Sequence, residues 1–539
     1  AGRGTASGSL IIGQGTTLTT TVANFGIGGT SEGGASGTLE VRGGSLRFTG
    51  SDTSLNFGSG SLAIADGVHF ALGDPGNRLD HLRLGYNLSG IDLADATADL
   101  TNDQFSADID DELSIARVTD VGWQGRAEAS LLLGSGSTID LGTLATPATL
   151  NIGWNESVGN SGYYAYANTS NATGTLDATL GTLTAELSEL NVGRTAGRGT
   201  ASGSLIIGQG TTLVADSVNI GMGPGANGTV TFVDGFSGSF NGQTVKLTSG
   251  LFDFADNTLR IGGSGGIAVE TFDIGGGLLV GATIDLDTGG NFAFTGGALD
   301  VATFNGTLDE NGGTLAPGGT GAGRTTINGD WLLSASGTLQ ITLAGAGAAI
   351  GYDQIIVNGA IDLAAGGTGG TLDLVLDFAP QINDRFVIVA NDGSDAMAGS
   401  FLGLADGSTI EEVFAGSTYT FTIDYGGEDG NDIVLTVTAV AAPLLQRSLA
   451  TTAVDGDGTN AAETSPTVAG ETITALLAAL PFDAAGRAIA DPVQVLAEDG
   501  GAAAPPAAAS LVTPDGLAAA PPDIIDFAPT LGQLDFMLF

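Results

Sequence analysis

The chain has 539 residues, with 59 acidic against 15 basic side chains, a formal net charge of −44, no cysteine and two histidines. The missing thiols exclude disulfides, thiolate metal sites and cysteine nucleophiles, and the missing basic footprint disfavours nucleic acid and anionic membrane as partners. Glycine, at 90 residues, is more than twice its usual share of about 7% but follows no Gly-X-Y period. Collagen is thereby excluded, and a hydrophobic content of 42% is enough to build a core.

Residues 1–18, AGRGTASGSLIIGQGTTL, recur letter for letter at residues 196–213, and a diverged copy, GRAEASLLLGSGSTI, lies at residues 125–139. This is internal duplication, the mark of a stacked repeat. The unit carries branched aliphatics, small hydroxyls and glycines, and no catalytic side chain. Residues 1–73 read as short strands between Gly-Ser and Gly-Gly turns, without a helical period. Residues 74–195 repeat a strand that ends in Gly followed by an aromatic residue or Arg: LRLGYN, LNIGWN and LNVGR, with shorter relatives ANFGIG and VNIGMG. The recurring Asn of these phrases is placed to hydrogen-bond to its copies in the coils above and below. Residues 224–345 continue in looser copies.

Each strand buries one face, and a single turn of chain cannot fold alone, so the pattern predicts an all-β, parallel β-helix (β-solenoid), right-handed, over residues 1–345. At about 22 residues per coil, this stretch would make about 15 coils. Residues 346–440 have longer strands richer in Phe, Tyr and Val and read as a β-rich cap that shields the open end. Residues 441–539 turn to Ala, Pro and acids, with a short helix expected at residues 471–480 and an apolar ending, LDFMLF. No apolar run reaches the length of a membrane-spanning helix. The chain opens on Ala within a repeat, which reads as a processed end or the start of a part.

GTLAPGG at residues 313–319, TINGDWLLSASGTLQITL, YDQIIVNGAIDL, DRFVIVANDG and YGGEDGNDIVLTV together resemble the C-terminal part of autotransporter-type β-helix passenger proteins. The upstream GSLIIGQGTTL and LNIG phrases are similar to the strand repeats of the same bacterial surface proteins. The resemblance covers roughly residues 1–440 and implies a secreted bacterial β-helix. Such passengers include adhesins, surface-layer components and some enzymes. The family's C-terminal membrane barrel has no counterpart in these residues. The ending Asp535-Phe536-Met537-Leu538-Phe539 is similar to that of type I secretion substrates.

Candidate chemistry is sparse. His81 follows Asp80, but a lone histidine beside an acid reads as a surface pair, and no GxSxG elbow is present. Asp108, Asp110, Asp111 and Glu112 cluster in ADIDDELSIA, and Asp429 and Asp432 lie in GGEDGNDIV, which resembles one imperfect calcium nonapeptide; these six are the weak calcium candidates. No other cofactor is expected. Trp123, Trp154, Tyr163, Tyr164 and Tyr166 are candidates for lateral contact or a glycan platform, and Leu534, Phe536, Leu538 and Phe539 for a connector strand. The expected function is a non-enzymatic structural protein, extracellular or on the surface of a bacterium. It would assemble with copies of itself into a filament, sheath or surface layer. The alternative is a monomeric rod-like adhesin that binds cell-surface glycan through side loops. The third is a polysaccharide-active enzyme using Asp110 or Asp111.

Overall fold

The computed structural model describes residues 6–27, 35–73, 76–88, 93–119, 125–156, 170–197, 199–391, 395–427 and 430–442. The chain divides into a large unit, Ala1–Glu412 with Tyr419–Val440, and a second, Val413–Thr418 with Ala441–Phe539; the features below belong to the first. The helix expected at residues 471–480 and the connector residues Leu534, Phe536, Leu538 and Phe539 lie outside the described residues, as do Trp123, Tyr163, Tyr164, Tyr166 and Asp429.

Among the described residues the protein is all-β, a parallel β-helix whose strands stack in register. None of the described residues forms a helix long and apolar enough to cross a membrane. The alternation of apolar and small polar residues puts like over like. Leu131, Leu176, Leu205 and Val230 form one inward column. Leu82, Leu113, Leu150, Leu190 and Val218 form a second, and Leu84, Ile115, Ile152, Val192 and Ile220 a third. None of these side chains is more than 3% exposed. Full burial of each contributes about 1.5–3 kcal/mol, so the columns are the main source of cohesion between coils. Farther along, Phe232, Phe240, Phe252 and Phe272 pack ring against ring in the interior, and the half-buried Phe292 packs against Phe272.

The coils are unequal, unlike the uniform coil of about 22 residues that the sequence suggests. Ala298 lies over Thr314, whereas Arg126 lies over Asn171, because the stacked strands keep register while the loops between them vary. Parallel pairing crosses residue 345 without a break. Thr338 pairs with Thr371 and Ile361 with Met397. The strand Arg385–Asn391 then meets Asp432–Ala441 in antiparallel sense. A smaller antiparallel pair, Thr258–Ile261 against the start of Ile267–Leu286, sits within the stack.

A left-handed bend recurs at the glycine of the LNIG phrase. Gly85, Gly153, Gly193 and Gly221 have φ of 65°, 67°, 67° and 64°, and Ala116 occupies the same column with φ 59°. A β carbon on Gly193 would lie 1.9 Å from the Asn227 carbonyl oxygen. Here backbone packs directly on backbone, and conformation and close approach both demand glycine.

Candidate functional site

The bend turns the outward side chains on its two sides toward each other and so creates a polar stripe that runs along the stack. Four residues before the bend stand His81, Glu112, Thr149 and Glu189; two before it, Arg83, Ser114, Asn151, Asn191 and Asn219; one after it, Tyr86, Arg117, Trp154, Arg194 and Met222.

The middle column is the asparagine ladder that the sequence pattern implied. Asn191 donates through Nδ2 to Asn151 Oδ1 at 2.9 Å, and Asn219 donates to Asn191 Oδ1 at 3.1 Å. Asn56 donates in the same sense to Asn24 at 2.9 Å. Asn151, Asn191 and Asn219 are buried, so each satisfied amide avoids the cost of an unpaired polar group.

The flanking columns bring charge together. Glu112 is 7% exposed and is held by Arg83, whose Nε lies 2.6 Å from Oε2, by Arg117 and by the Ser114 hydroxyl, which donates to Oε1. Burial pushes the Glu112 carboxyl up, but the Arg117 and Arg83 guanidiniums and the Ser114 hydroxyl outweigh it and leave the group below the usual glutamate range. Burial lowers Arg117, and the Glu112 and Glu156 carboxylates outweigh it, so its net shift is upward. Arg117 also reaches Glu156 at 2.7 Å. The motif repeats farther on: Arg194 bonds Glu189 at 2.6 Å and Asn191 at 3.0 Å, and Asn219 donates to Glu189 at 2.9 Å.

The outer column alternates aromatic and cation. The Arg117 guanidinium lies 4.5 Å from the Trp154 ring centre and 5.8 Å from that of Tyr86, and Arg194 lies 5.6 Å from Trp154. Each such contact contributes about 0.5–2 kcal/mol according to its desolvation. Trp154, singled out from the sequence, is thus sandwiched between two guanidiniums.

The acidic cluster divides between two places. Asp110 and Asp140 grip Arg78 at 2.6 and 2.9 Å, with Asp108 at 3.5 Å. Arg78 also donates to the Ile109 carbonyl at 2.8 Å. Asp111 is exposed, and its carboxyl is raised by burial and by Asp80, Asp110 and Asp52, against the pull of His81. Glu112 belongs to the stripe. Asp432 accepts from the Asn391 amide at 2.9 Å. Among the described residues no three carboxylates or histidines gather at a distance that would hold a metal ion. His81 lies 3.0 Å from Asp52 through Nε2, and Asp80 accepts from the Thr53 amide and hydroxyl.

Arg83, Arg117, Arg194 and Tyr86 were not among the residues singled out from the sequence. The signal was present as the rule "Gly, then aromatic or Arg". Its fourth instance, LSIARV, escaped because Ala116 stands where the other phrases have Gly.

No protein-family model matches this chain, and no curated protein matches it.

Proposed function

We propose that this chain is the rod of a secreted bacterial surface protein of the autotransporter-passenger type, structural rather than catalytic, which assembles with further copies into an extracellular filament, sheath or layer. The observation that carries this reading is the kind of chemistry the outward face holds. Where charged and aromatic groups converge, they are consumed by one another from coil to coil: Glu112 by Arg83 and Arg117, and Trp154 by Arg117 and Arg194. Such ladders stiffen a stack along its axis. A hydrolytic site would instead keep two carboxyl groups aimed at one open cleft. The test is electron microscopy of the full chain beside a chain lacking residues 531–539. Regular filaments or sheets that disappear on truncation support the reading. Single rods in both samples overturn self-assembly.

The adhesin reading is favoured by one observation. The strand that carries Trp154 ends at Asn155, seven residues before the start of the aromatic segment GYYAYAN at Gly162. A glycan array run with the full chain and with a chain lacking residues 159–169 checks it: glycan binding lost on deletion supports an adhesin, and no binding by either chain removes it.

A further inference from the structure

Among the described residues three buried side-chain oxygens have no hydrogen-bond partner: Thr211 Oγ1, Asn391 Oδ1 and Asn431 Oδ1. The threonine hydroxyl can turn and donate, but an amide oxygen can only accept. The two amides stand together. Asn391 ends the strand Arg385–Asn391, Asn431 directly precedes Asp432–Ala441, and the register that sets Val389 against Ile433 brings them opposite each other. They are 3% and 9% exposed. Both Nδ2 groups donate to one atom, the Asp395 carbonyl oxygen, at 3.4 and 3.1 Å. That shared acceptor fixes which end of each amide is the nitrogen and holds both amides around one point. The Asp432 carboxylate joins them: it is buried, and its Oδ1 accepts the Asn391 N–H at 2.9 Å.

The charge around these oxygens is one-sided. The stretches that meet here read NDGSD at residues 391–395 and EDGND at residues 428–432, with five acids and no base. Arg385 is the only basic residue between positions 325 and 446. It starts the strand that Asn391 ends, six residues and about 20 Å away. A water molecule would donate to the two amide oxygens but leave the carboxylate without a countercharge. A hard cation satisfies both.

We propose that Asn391 Oδ1, Asn431 Oδ1 and the Asp432 carboxylate form a calcium site, with water filling the remaining positions. Calcium accepts irregular shells of about six to eight oxygens, amide and carboxylate alike, whereas magnesium demands a near-ideal octahedron. Only one of the three ligands is a carboxylate, so the site is compatible with the absence of a three-carboxylate cluster among the described residues. With so little charge its affinity is that of an extracellular module, a Kd of about 10⁻⁴–10⁻³ M. The ion ties the start of Asp432–Ala441 to the end of Arg385–Asn391, the antiparallel pair that follows the parallel stack. The inference stands on this pair alone and holds for filament and adhesin alike.

Hydrogen exchange of the full chain, stripped of divalent ions with a chelator and then titrated with calcium chloride, tests it. Calcium is expected to slow the amides of residues 386–391 and 431–436 about tenfold or more, with its midpoint at about 10⁻⁴–10⁻³ M, and to leave residues 200–213 unchanged. Magnesium at the same concentrations is expected to do less. Asp432→Asn, whose amide oxygen can still accept the Asn391 N–H, is expected to match the calcium-free native chain and to need about tenfold more calcium. Asn431→Asp adds a buried charge, so it is expected to exchange faster without calcium and to regain protection at a lower calcium concentration than the native chain. If Asp432→Asn does not fold, Asn431→Asp decides. No slowing at about 10 mM calcium, equal slowing by sodium chloride of matched ionic strength, a native response in Asp432→Asn, or an Asn431→Asp chain that calcium does not restore each overturns the site.

Discussion

Glu112 and Glu310 are both buried, at 7% and 0% exposure, yet the two regions treat them oppositely. Glu112 sits on the outward stripe among guanidiniums, and its carboxyl is held down. Glu310 stands in the core column that runs Ile220, Leu247, Ile274, Phe294, Glu310 and Leu333. Its partners are neutral donors, the Trp331 indole N–H at 3.1 Å and the Thr338 amide at 3.2 Å. Burial pushes Glu310 up to about 8 against these hydrogen bonds. The difference teaches that what a coil can bury depends on what the adjacent coils supply: a countercharge permits an ionised carboxylate, and dipoles alone favour the protonated acid.

The largest expected effect follows from Glu310. Its folded pKa lies above the unfolded value of 4.5, so its stabilisation is complete below pH 4.5 and is lost as pH rises through about 8. A shift of this size corresponds to on the order of 5 kcal/mol. Asp353, raised by burial to about 6, contributes in the same sense over a lower window. Glu310→Gln is expected to flatten the decline between pH 5 and 9, as read from urea unfolding followed by hydrogen exchange near Trp331. Local readout matters because a long stack need not unfold in one step. An unchanged slope in the variant would contradict the comparison. Glu112 runs the other way: its contribution is present above the usual glutamate pKa and is lost as pH falls through its depressed one.

Next in size is Glu112→Gln. It leaves Arg83 and Arg117, 16% and 17% exposed, without their shared carboxylate. The expected loss at pH 7 is about 3 kcal/mol, since removing one member of a buried pair strands the others. Glu310→Gln at the same pH is expected to cost less, because no cation is stranded. A cost for Glu112→Gln equal to or below that of Glu310→Gln would break the contrast. Smaller again is the coupling between Trp154 and Arg117. A double-mutant cycle of Trp154→Leu and Arg117→Gln is expected to give about 1 kcal/mol, and a value near zero would make the stacked geometry energetically idle.

The fold was legible because its cause is periodic. The repeats, the alternation and the Gly-marked strand ends each point to stacked parallel strands, and the LNIG asparagines announced their own ladder. The stripe was half legible. The phrase "Gly, then aromatic or Arg" sat in the sequence, but the convergence of Glu112 with Arg83 and Arg117 depends on which coil lies over which. Unequal coil lengths hide that register, since Arg126 over Asn171 follows from no fixed period. The four acids of ADIDDEL read as one cluster in sequence, whereas Asp108 and Asp110 turn to Arg78 and Glu112 to the stripe. Glu310 gave no signal at all, because an acid in a looser repeat is indistinguishable from a surface acid until its column is known.

The smallest expected effect concerns the bend that brings Arg117 back to Glu112. Ala116 holds φ 59° where its neighbours in the column are Gly85 and Gly153. The left-handed conformation costs alanine about 1–2 kcal/mol more than glycine. Against this, Ala116→Gly gives up a buried methyl, about 0.8 kcal/mol, and raises the entropy of the unfolded chain. The net is expected to lie within about 1 kcal/mol of zero, with slower or unchanged exchange across residues 112–118. The reverse exchange is not its mirror image: at Gly153 a methyl would lie 2.1 Å from the Ser202 carbonyl oxygen. If Ala116→Gly instead speeds exchange and loosens the Glu112 network, the alanine methyl is what fixes the bend, and the ion cluster depends on packing at this one position rather than on the left-handed turn itself.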